Sequence, residues 1–491
     1  MEMDAMQSKP HGSVGPLISA WRADPSIGGN VVAWETAPAQ PARVEDFPPE
    51  ISPPLRNALE RLGIPSLYIH QAEAWRQIRA GQHLVVSTGT ASGKTMCYNL
   101  PVIDSLLRSG QGRALYIFPT KALAQDQKNN LARLLEVIDP RDLKGYPPGQ
   151  VTVGVYDGDT PSDLRASIRG KAQIVITNPD MLHTGILPHH TLWAEFFRNL
   201  RFVVVDEMHI YRGVFGSHVA NVIRRLKRLA QHYGAQPQFI LTSATIANPI
   251  ELSSRLVEEQ AMLISEDGSA RGARHFLIFN PPVVDKDLGL RRSSLLESVR
   301  LAKTCLTYDI QTIIFGRSRR TVELVLSYLR DSFPGAENRI RGYRSGYLSL
   351  ERRAIEQGLR SETVDAVVAT NALELGIDIG GMGASLMVGY PGSIAATWQQ
   401  AGRAGRKAGA SLAVLIASAD ALDQFLAHHP DYFFSRPIEQ ALVNPDNLLI
   451  LLQHLQCAAF ELPFQRGEGF GRVPQETVDE FLRYLEDSSV L

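Results

Sequence analysis

From residue 83 onward, short apolar runs alternate with stretches whose apolar residues recur at helical spacing. Short apolar runs bounded by helical patterns are typical of buried parallel strands. Helices then cover both faces of a sheet, because each parallel connection must cross over it. The alternation therefore predicts doubly wound α/β architecture. The runs are HLVVS, ALYIF, VTVGVY, QIVIT, RFVVVD and QFILTSAT, then HFLIFN, TIIFG, AVVAT, ASLMVG and LAVLIA.

The alternation is interrupted at SEDGSARG, residues 265–272, where we place an interdomain linker because the segment is polar and rich in small residues. It separates two parallel-sheet domains, residues 46–264 and 273–426. Residues 1–45 are rich in Pro, Gly and Ala without periodicity, and we expect a flexible N-terminal arm. Residues 427–491 have a mostly helical pattern, which we interpret as an extension that begins an accessory domain.

Composition excludes few functions. The 491 residues include 50 Lys and Arg against 51 Asp and Glu, so a nucleic-acid partner would need locally basic grooves. No apolar run reaches the about 18 residues of a membrane span, and the N-terminus lacks the apolar region of a secretory signal. We expect no membrane partner and a cytoplasmic location, with nucleoid association in a bacterium.

Cysteine and histidine spacing gives no sign of a metal centre. The three cysteines, Cys97, Cys305 and Cys457, lie far apart, without zinc-ligand spacing. The histidine pairs at 189–190 and 428–429 have no nearby cysteine, and we expect them on the surface. The sequence thus predicts no zinc site in this chain.

A glycine-containing loop follows the first apolar run and leads into a helical pattern. Phosphate binding requires close backbone N–H groups, a cation and a hydroxyl for Mg²⁺, which Gly93, Lys94 and Thr95 supply. Thr88 stands where the strict pattern has its first glycine, which leaves an ordinary glycine-rich turn as the alternative. The predicted ATP-binding loop is Thr88, Gly89, Thr90, Ala91, Ser92, Gly93, Lys94 and Thr95.

Two carboxylates follow the apolar run that ends at Val205. Ligands bind at the carboxyl ends of parallel strands, so we expect Asp206, with Thr95, to hold the Mg²⁺ of MgATP. Glu207 would orient and polarise the attacking water. The alternative is an acidic cap before a helix. His209 is either a turn residue or a link from the nucleotide to Ser243-Ala244-Thr245.

These motifs resemble the DExH-type helicases of superfamily two, whose order continues in PTKAL, TNPD, SAT, ATNALELGID and QQAGRAGR. The resemblance implies two tandem RecA-like domains that hydrolyse ATP. It assigns adenine recognition to Gln71, further ATP contacts to Gly376 and Asp378, and coupling to His209, Ser243, Thr245 and Gln399. It implies contacts to the nucleic-acid backbone by Thr120, Lys121, Thr177, Asn178, Ser318 and Thr370.

Arg403 and Arg406 would reach ATP from the second domain. A cation supplied by a second body accelerates phosphoryl transfer by about 10³ to 10⁵. Their spacing allows both to lie on one helical face, and a charged surface helix is the alternative. Arg317, Arg319 and Arg320 would add charge at the sheet edge or form an exposed basic loop. The run Arg224, Arg225, Lys227 and Arg228 is interpreted as a solvated helix face.

A narrower resemblance is to the MrfA/YprA-like DNA helicases, through DEMHIYRGVFGSHVANVIRRLKR, YRSGYLSLERRAIEQGL and FNPPVVD. It implies 3′→5′ unwinding of single-stranded or tailed duplex DNA in genome repair. Members of that family usually carry a C-terminal domain with a four-cysteine zinc site, whereas only Cys457 lies beyond residue 410 here, so we expect that this domain is missing or was cut away.

Three alternatives stay open at this level. The motor could translocate or remodel without separating strands, since no residue marks a strand-separating wedge. RNA could replace DNA, because backbone contacts do not distinguish the sugars. A nucleotide-gated clamp without useful turnover is the third.

Overall fold

The computed structural model describes residues 12–344, 346–374, 376, 379–405 and 409–487. The chain forms two compact units, each built from two stretches of sequence. The phosphate-loop unit comprises Arg43–Gly268 and Gln440–Leu491; the second unit comprises Met1–Ala42 and Ser269–Glu439. One boundary, at Gly268, lies inside the segment that we expected to be the linker.

Regular elements cover most of both units. Those before the phosphate loop are α1 (Val14–Ala23), α2 (Pro25–Gly28), β1 (Val31–Ala37), β2 (Val44–Glu45), α3 (Pro53–Arg61), β3 (Leu67–Tyr68), α4 (Ile69–Arg79) and β4 (His83–Ser87). The next are α5 (Lys94–Ser109), β5 (Arg113–Ile117), α6 (Lys121–Glu136), β6 (Val153–Val155), α7 (Ser162–Lys171), β7 (Ile174–Thr177), α8 (Pro179–Met181), α9 (Ala194–Arg198), β8 (Leu200–Val205), α10 (Gly213–His232), β9 (Gln238–Ser243), α11 (Pro249–Val257) and β10 (Ala261–Ile264).

The remaining elements begin after the boundary at Gly268. They are β11 (Arg274–Phe279), β12 (Val283–Asp285), β13 (Leu290–Arg291), α12 (Ser294–Thr307), β14 (Thr312–Gly316), α13 (Arg319–Ser332), β15 (Ile340–Tyr343), α14 (Ser349–Arg360), β16 (Ala366–Ala369), β17 (Ala384–Val388), α15 (Ile394–Ala401), β18 (Ser411–Ile416), α16 (Ala421–His428), α17 (Pro430–Ser435), α18 (Leu448–Glu461) and α19 (Gln475–Asp487).

Each unit contains a seven-stranded sheet. The order is β10-β4-β9-β8-β5-β7-β6 in the phosphate-loop unit and β1-β11-β18-β17-β14-β16-β15 in the second unit. All neighbours are parallel except β1 and β11. In the phosphate-loop unit, separate apolar clusters lie on the two faces of the sheet. The prediction of two doubly wound α/β domains is confirmed.

The expected flexible arm at the N-terminus is wrong for residues 14–37. Helix α1 buries Val14, Leu17, Ile18 and Trp21 at helical spacing in the core of the second unit. Strand β1 then adds antiparallel to β11 at the edge of the sheet. Prolines and paired glycines interrupt this segment, so its periodicity is too short to stand out in the sequence.

The polar face of α10 is covered rather than solvated, which corrects the interpretation of its basic run. Arg224 and Arg225 are 4% and 1% exposed. Arg224 forms ion pairs with Glu258 at 2.6 Å and Asp446 at 2.7 Å, and Arg225 pairs with Glu461 of α18. The C-terminal segment of the phosphate-loop unit therefore packs on α10 through paired charges.

Of the histidine pair at 189–190, His189 is exposed as expected, whereas His190 departs from the surface position. His190 is buried, and its ring nitrogens lie 2.8 Å from the Tyr233 hydroxyl and 2.6 Å from the carbonyl of Glu461. His428 and His429 are exposed, as expected. Among the described residues, no helix has the length and apolarity that crossing a membrane requires.

Candidate active site

The phosphate loop connects β4 directly to the N-terminus of α5. Gly93 precedes the helix with φ 79°, in the left-handed region that favours glycine. A Cβ at this position would lie 2.7 Å from Nε2 of Gln71. The first backbone N–H groups of α5 have no partner within the helix, and this makes the helix N-terminus suited to bind an anion.

Lys94 and Thr88 hold the loop in shape. Nζ of Lys94 donates to the carbonyl oxygens of Thr88 at 3.1 Å and Gly89 at 2.8 Å. The hydroxyl oxygens of Thr88 and Ser92 lie 2.6 Å apart, and both residues are buried. Thr88 thus closes the loop with its side chain in the place where the strict pattern has a glycine.

Gln71 fixes the loop from the outside. Its Oε1 accepts from the N–H of Tyr68 at 3.0 Å, and its Nε2 donates to the carbonyl of Gly93 at 3.1 Å. Both ends of the amide therefore bind main chain here, and the adenine contact stays a prediction.

Asp206 and Glu207 follow β8 at the carboxyl end of the same sheet. Asp206 is 6% exposed, and its Oδ1 accepts from the N–H of Glu207 at 3.0 Å and from the hydroxyl of Thr242 on β9. Burial, then the neighbouring carboxylate of Glu207, raises the pKa of Asp206, while Thr242 and Lys94 oppose the shift. The site therefore favours an additional cation beside this carboxylate.

His209 connects the carboxylates to the end of β9. Its Nδ1 accepts from the N–H of Ala244 at 3.2 Å and lies 3.4 Å from Oε2 of Glu207. Burial lowers the pKa of His209, which favours the neutral ring. Ser243 is buried and Thr245 exposed. The structure thus contains the predicted contact with Ser243-Ala244-Thr245, and its role in coupling stays a prediction.

The predicted nucleic-acid contacts in the phosphate-loop unit follow β5 and β7. Thr120 caps α6 by accepting from the N–H of Leu123 at 3.3 Å, and Asn178 caps α8. Lys121 is exposed and pairs with Asp159 at 2.6 Å. Thr177 differs from the expectation. It is 1% exposed and its hydroxyl donates to the carbonyl of Tyr156, so its side chain supports the strand end.

In the second unit the corresponding contacts follow β14 and β16. Ser318 caps α13 and is exposed, Thr370 is half-buried after β16, and Gly376 is half-buried. Arg319 and Arg320 are exposed on α13. Arg317 pairs with Asp420 at 2.7 Å.

Arg403, which we expected on a helical face, lies beyond the end of the helix that precedes it. Helix α15 contains Gln399 and ends at Ala401, and Gly402 then begins the turn that carries Arg403. Arg403 is 1% exposed and donates to the carbonyl of Glu374 at 2.6 Å. Asp378 and Arg406 lie outside the described residues.

Two residues of the site were missed from the sequence. Thr242, the hydroxyl partner of Asp206, is a polar residue inside the apolar run QFILTSAT, and that interruption was the available signal. His70 contacts the loop at Ser92. It directly precedes Gln71, but no spacing rule marked it.

The fold and this constellation define the class: the chain belongs to the DExH-type helicases of superfamily two. The DEAD/DEAH box helicase profile matches residues 68–252, and the helicase conserved C-terminal domain matches residues 296–408. The winged helix domain of the ATP-dependent helicase HRQ1 matches residues 443–489, the segment that covers α10.

Within that class the chain is MrfA/YprA-like. It is 49% identical over 465 residues to the ATP-dependent helicase YprA of Bacillus subtilis, covering 94% of this chain and 60% of that protein. It is 40% identical over 449 residues to the ATP-dependent helicase HRQ1 of Saccharomyces cerevisiae, covering 89% of this chain and 41% of that protein.

A solved structure gives the same relationship. The DUF1998 helicase MrfA bound to DNA and AMPPNP superimposes with a TM-score of 0.90 at 47% identity, covering 97% of this chain and 64% of that chain. This chain therefore spans between 41% and 64% of the length of these relatives.

Proposed function

We propose that this chain is an ATP-driven DNA motor that couples hydrolysis to 3′→5′ strand translocation and unwinding in DNA repair. One observation carries the proposal. The phosphate loop with Lys94 and the carboxylates Asp206 and Glu207 follow two strands of the same sheet. Asp206 is buried, Glu207 is half-buried, and His209 is hydrogen-bonded to Ala244. The support for DNA is the likeness to MrfA, which was crystallised with DNA and AMPPNP.

Nucleotide and Mg²⁺ fit the residues present. Mg²⁺ in nucleotide sites is held by one or two carboxylates together with substrate phosphates, and Asp206 and Thr95 supply hard oxygen donors. The raised pKa of Asp206 supports a second cation at this place. When bound, Mg²⁺ would neutralise charge that develops on the phosphates. Lys94 would bind the β and γ phosphates, and the N–H groups of the loop would orient them.

Glu207 is proposed to accept the proton of the attacking water. Its backbone lies in the left-handed region, with φ 51°, which is uncommon outside glycine and persists only where surrounding contacts impose it. The N–H of Glu207 donates to Asp206, so the two carboxylates are oriented together. His209, bonded to Ala244 at the end of β9, would relay the state of the nucleotide to Thr245.

The test is steady-state ATP hydrolysis with single-stranded DNA, duplex DNA, RNA or no polymer, at one fixed salt concentration. Stimulation by single-stranded DNA supports the proposal, and unwinding of 3′-tailed but not 5′-tailed duplex supports the polarity. Lys94→Ala is the matched negative control, because it removes the phosphate cation from a partly exposed loop. Stronger stimulation by RNA or by blunt duplex would mean that this polymer, and not single-stranded DNA, is the substrate. If Lys94→Ala leaves ATP hydrolysis undiminished, the proposed ATP site is refuted.

A further inference from the structure

Two of the three chain connections between the units, at residues 42–43 and 268–269, are paired with each other. The chain passes from the second unit to the phosphate-loop unit after Ala42 and returns after Gly268. Gln40 and Arg271 exchange two backbone hydrogen bonds of 2.8 and 2.9 Å. On the other side of the connections, the N–H of Arg43 donates to the carbonyl of Gly268 at 2.9 Å. We call these residues, 40–43 and 268–271, the paired connection.

The paired connection is packed against the segment that carries Gln71. The N–H of Ile69 donates to the carbonyl of Arg43 at 3.1 Å, and β2 pairs with β3 immediately beyond it. A Cβ at Gly268 would lie 2.7 Å from Cγ1 of Ile69 and 2.8 Å from the carbonyl oxygen of Arg43. Only glycine therefore permits this close approach of three backbone segments.

One buried imidazole joins the paired connection to the phosphate loop. His70 is 1% exposed, its Nδ1 accepts from the N–H of Gly268 at 3.2 Å, and its Nε2 lies 3.0 Å from the carbonyl oxygen of Ser92. The amide can only donate and the carbonyl can only accept, so both bonds are made by the neutral ring with its proton on Nε2. No rotatable bond separates the two ring nitrogens, so a rigid group bridges the Ser92 carbonyl and the Gly268 amide through two hydrogen bonds.

We propose that His70 is a positioning residue that transmits the nucleotide state of the phosphate loop to the paired connection. Phosphates that bind the N–H groups of the loop pull on the peptide units that include the Ser92 carbonyl. Through its bond to Gly268, His70 then changes the preferred conformation of the paired connection, which must flex when the two units move. This inference rests on the proposed ATPase function and adds a second route to the link through His209.

The experiment compares the ratio of DNA-stimulated to basal ATP hydrolysis with the Kd of a fluorescent ATP analogue. His70→Phe keeps a ring of similar size but removes both hydrogen bonds. We expect the ratio to fall about tenfold, within the usual range for coupling between sites, and the Kd to change by less. His70→Gln restores an acceptor and a donor, and we expect it to recover most of the ratio.

Gly268→Ala tests the same route from the other end. Its Cβ would lie too close to Cγ1 of Ile69 and to the carbonyl oxygen of Arg43, so the paired connection must shift, and we expect the ratio to fall again. His190→Phe is the matched control, because it also removes two bonds from a buried histidine of the phosphate-loop unit. It should leave the ratio unchanged.

The outcomes separate the two proposals. A wild-type ratio in both His70→Phe and Gly268→Ala would overturn the inference and leave the ATPase proposal intact. So would a loss of analogue affinity in His70→Phe as large as the loss of the ratio, because that result indicates a merely structural histidine. Wild-type protein that hydrolyses no ATP with or without any polymer would overturn both.

Discussion

Six of the seven strands follow the same order in the two sheets, and the sheets differ in the segment that follows the second strand of each, β4 and β11. In the phosphate-loop unit β4 leads into residues 88–93 and then directly into α5. In the second unit β11 is followed by Asn280, Pro281 and Pro282 and then by the hairpin β12–β13. Proline has no N–H, so the corresponding place in the second unit has lost two of the donors that a phosphate would need.

The strands that carry the carboxylates differ in the same way. Asp206 and Glu207 follow β8, whereas Gly389 and Tyr390 follow β17 at the matching place in the other sheet. Among the described residues, only the phosphate-loop unit therefore combines a phosphate loop after one strand with two adjacent carboxylates after another.

The next strand of each sheet leads into the same arrangement. Thr120 and Ser318 cap the helices after β5 and β14, and Lys121 and Arg319 occupy the first helical position. A cation at a helix N-terminus is opposed by the helix dipole. Lys121 is compensated by its pair with Asp159, and both cations are exposed where a phosphate can reach them. We therefore expect hydrolysis in one sheet and a grip on a polyanion that both sheets share.

The largest effect expected from this comparison is at Glu207. Glu207→Gln keeps the size and removes the base, and we expect the stimulated turnover to fall by at least about a hundredfold, the lower limit for loss of general-base catalysis. Binding of ATP should persist. Tyr390→Phe changes the matching position of the second sheet by one hydroxyl and should stay within about twofold of wild type, an estimate for a change away from the chemistry. Stopped-flow or coupled-assay turnover measures both, and equal losses would contradict a division of labour.

The second-largest effect is a pH dependence of stability in the phosphate-loop unit, where histidines lie between α10 and the C-terminal segment that covers it. Nδ1 of His454 accepts from Arg225 at 3.3 Å, and its Nε2 lies 3.1 Å from His218. Burial, then Arg225, lowers the pKa of His454 to about 3, and burial lowers the pKa of His183 as well. The unfolded chain therefore binds protons that the folded unit excludes, so stability is fully present above the unfolded pKa of about 6.5 and falls as pH decreases toward about 3.

At pH 5 this linkage should remove about 2 kcal/mol from the phosphate-loop unit relative to about pH 7.5, at 1.36 kcal/mol for each pKa unit. Denaturant unfolding followed by hydrogen exchange in α10 and α13 would measure each unit separately. His454→Gln keeps an acceptor and a donor but cannot titrate, and it should flatten the dependence in α10. A pH dependence that is as steep in α13 as in α10 would mean that the effect does not come from this cluster.

Most strands of the two sheets could be predicted from the sequence because each strand is marked by its own short apolar run. Every apolar run that we assigned became a strand, since burial on both faces leaves little room for polar residues. The strands of the two large sheets that we missed are β1, β10 and β15, of which β10 has two exposed residues, Met262 and Leu263. All three lie at sheet edges, and in β15 the apolar pattern is weak because Arg341 and Gly342 separate Ile340 from Tyr343.

The features that the sequence could not show depend on long-range contacts. The basic run of α10 has the pattern of a solvated face, and only its partners from residues 446 and 461 reveal that it is covered. Likewise, neither Gly268 nor His70 stands out until the chain connections are seen to pair. The phosphate loop and Asp206-Glu207 could be predicted because their chemistry is encoded in consecutive residues.

A smaller effect is expected where the two units are alike. Lys121→Gln and Arg319→Gln should each reduce the salt slope of single-stranded DNA binding by about one, and the double variant by about two. Affinity would fall only a few-fold at low salt, because each residue contributes one phosphate contact. Fluorescence anisotropy at several salt concentrations measures the slope, and Arg317→Gln is the control because Arg317 precedes the helix cap instead of occupying the first helical position. If only Lys121→Gln lowers the slope, the grip is not shared.

The smallest effect is expected when Pro281 and Pro282 are replaced. This change tests directly whether the missing backbone N–H groups prevent phosphate binding in the second unit. The carbonyls of Pro281 and Pro282 accept from Arg291 and from the N–H of Arg292, which holds the hairpin β12–β13. Replacing both prolines by alanine restores two N–H groups and keeps these carbonyls. It supplies neither a lysine nor a carboxylate, so we expect one nucleotide per chain in both proteins by equilibrium dialysis with an ATP analogue. Two nucleotides bound per wild-type chain would break the comparison. A second site in the variant alone would mean that the missing N–H groups were all that kept the second unit from binding a phosphate, and that the rest of its cradle is already in place.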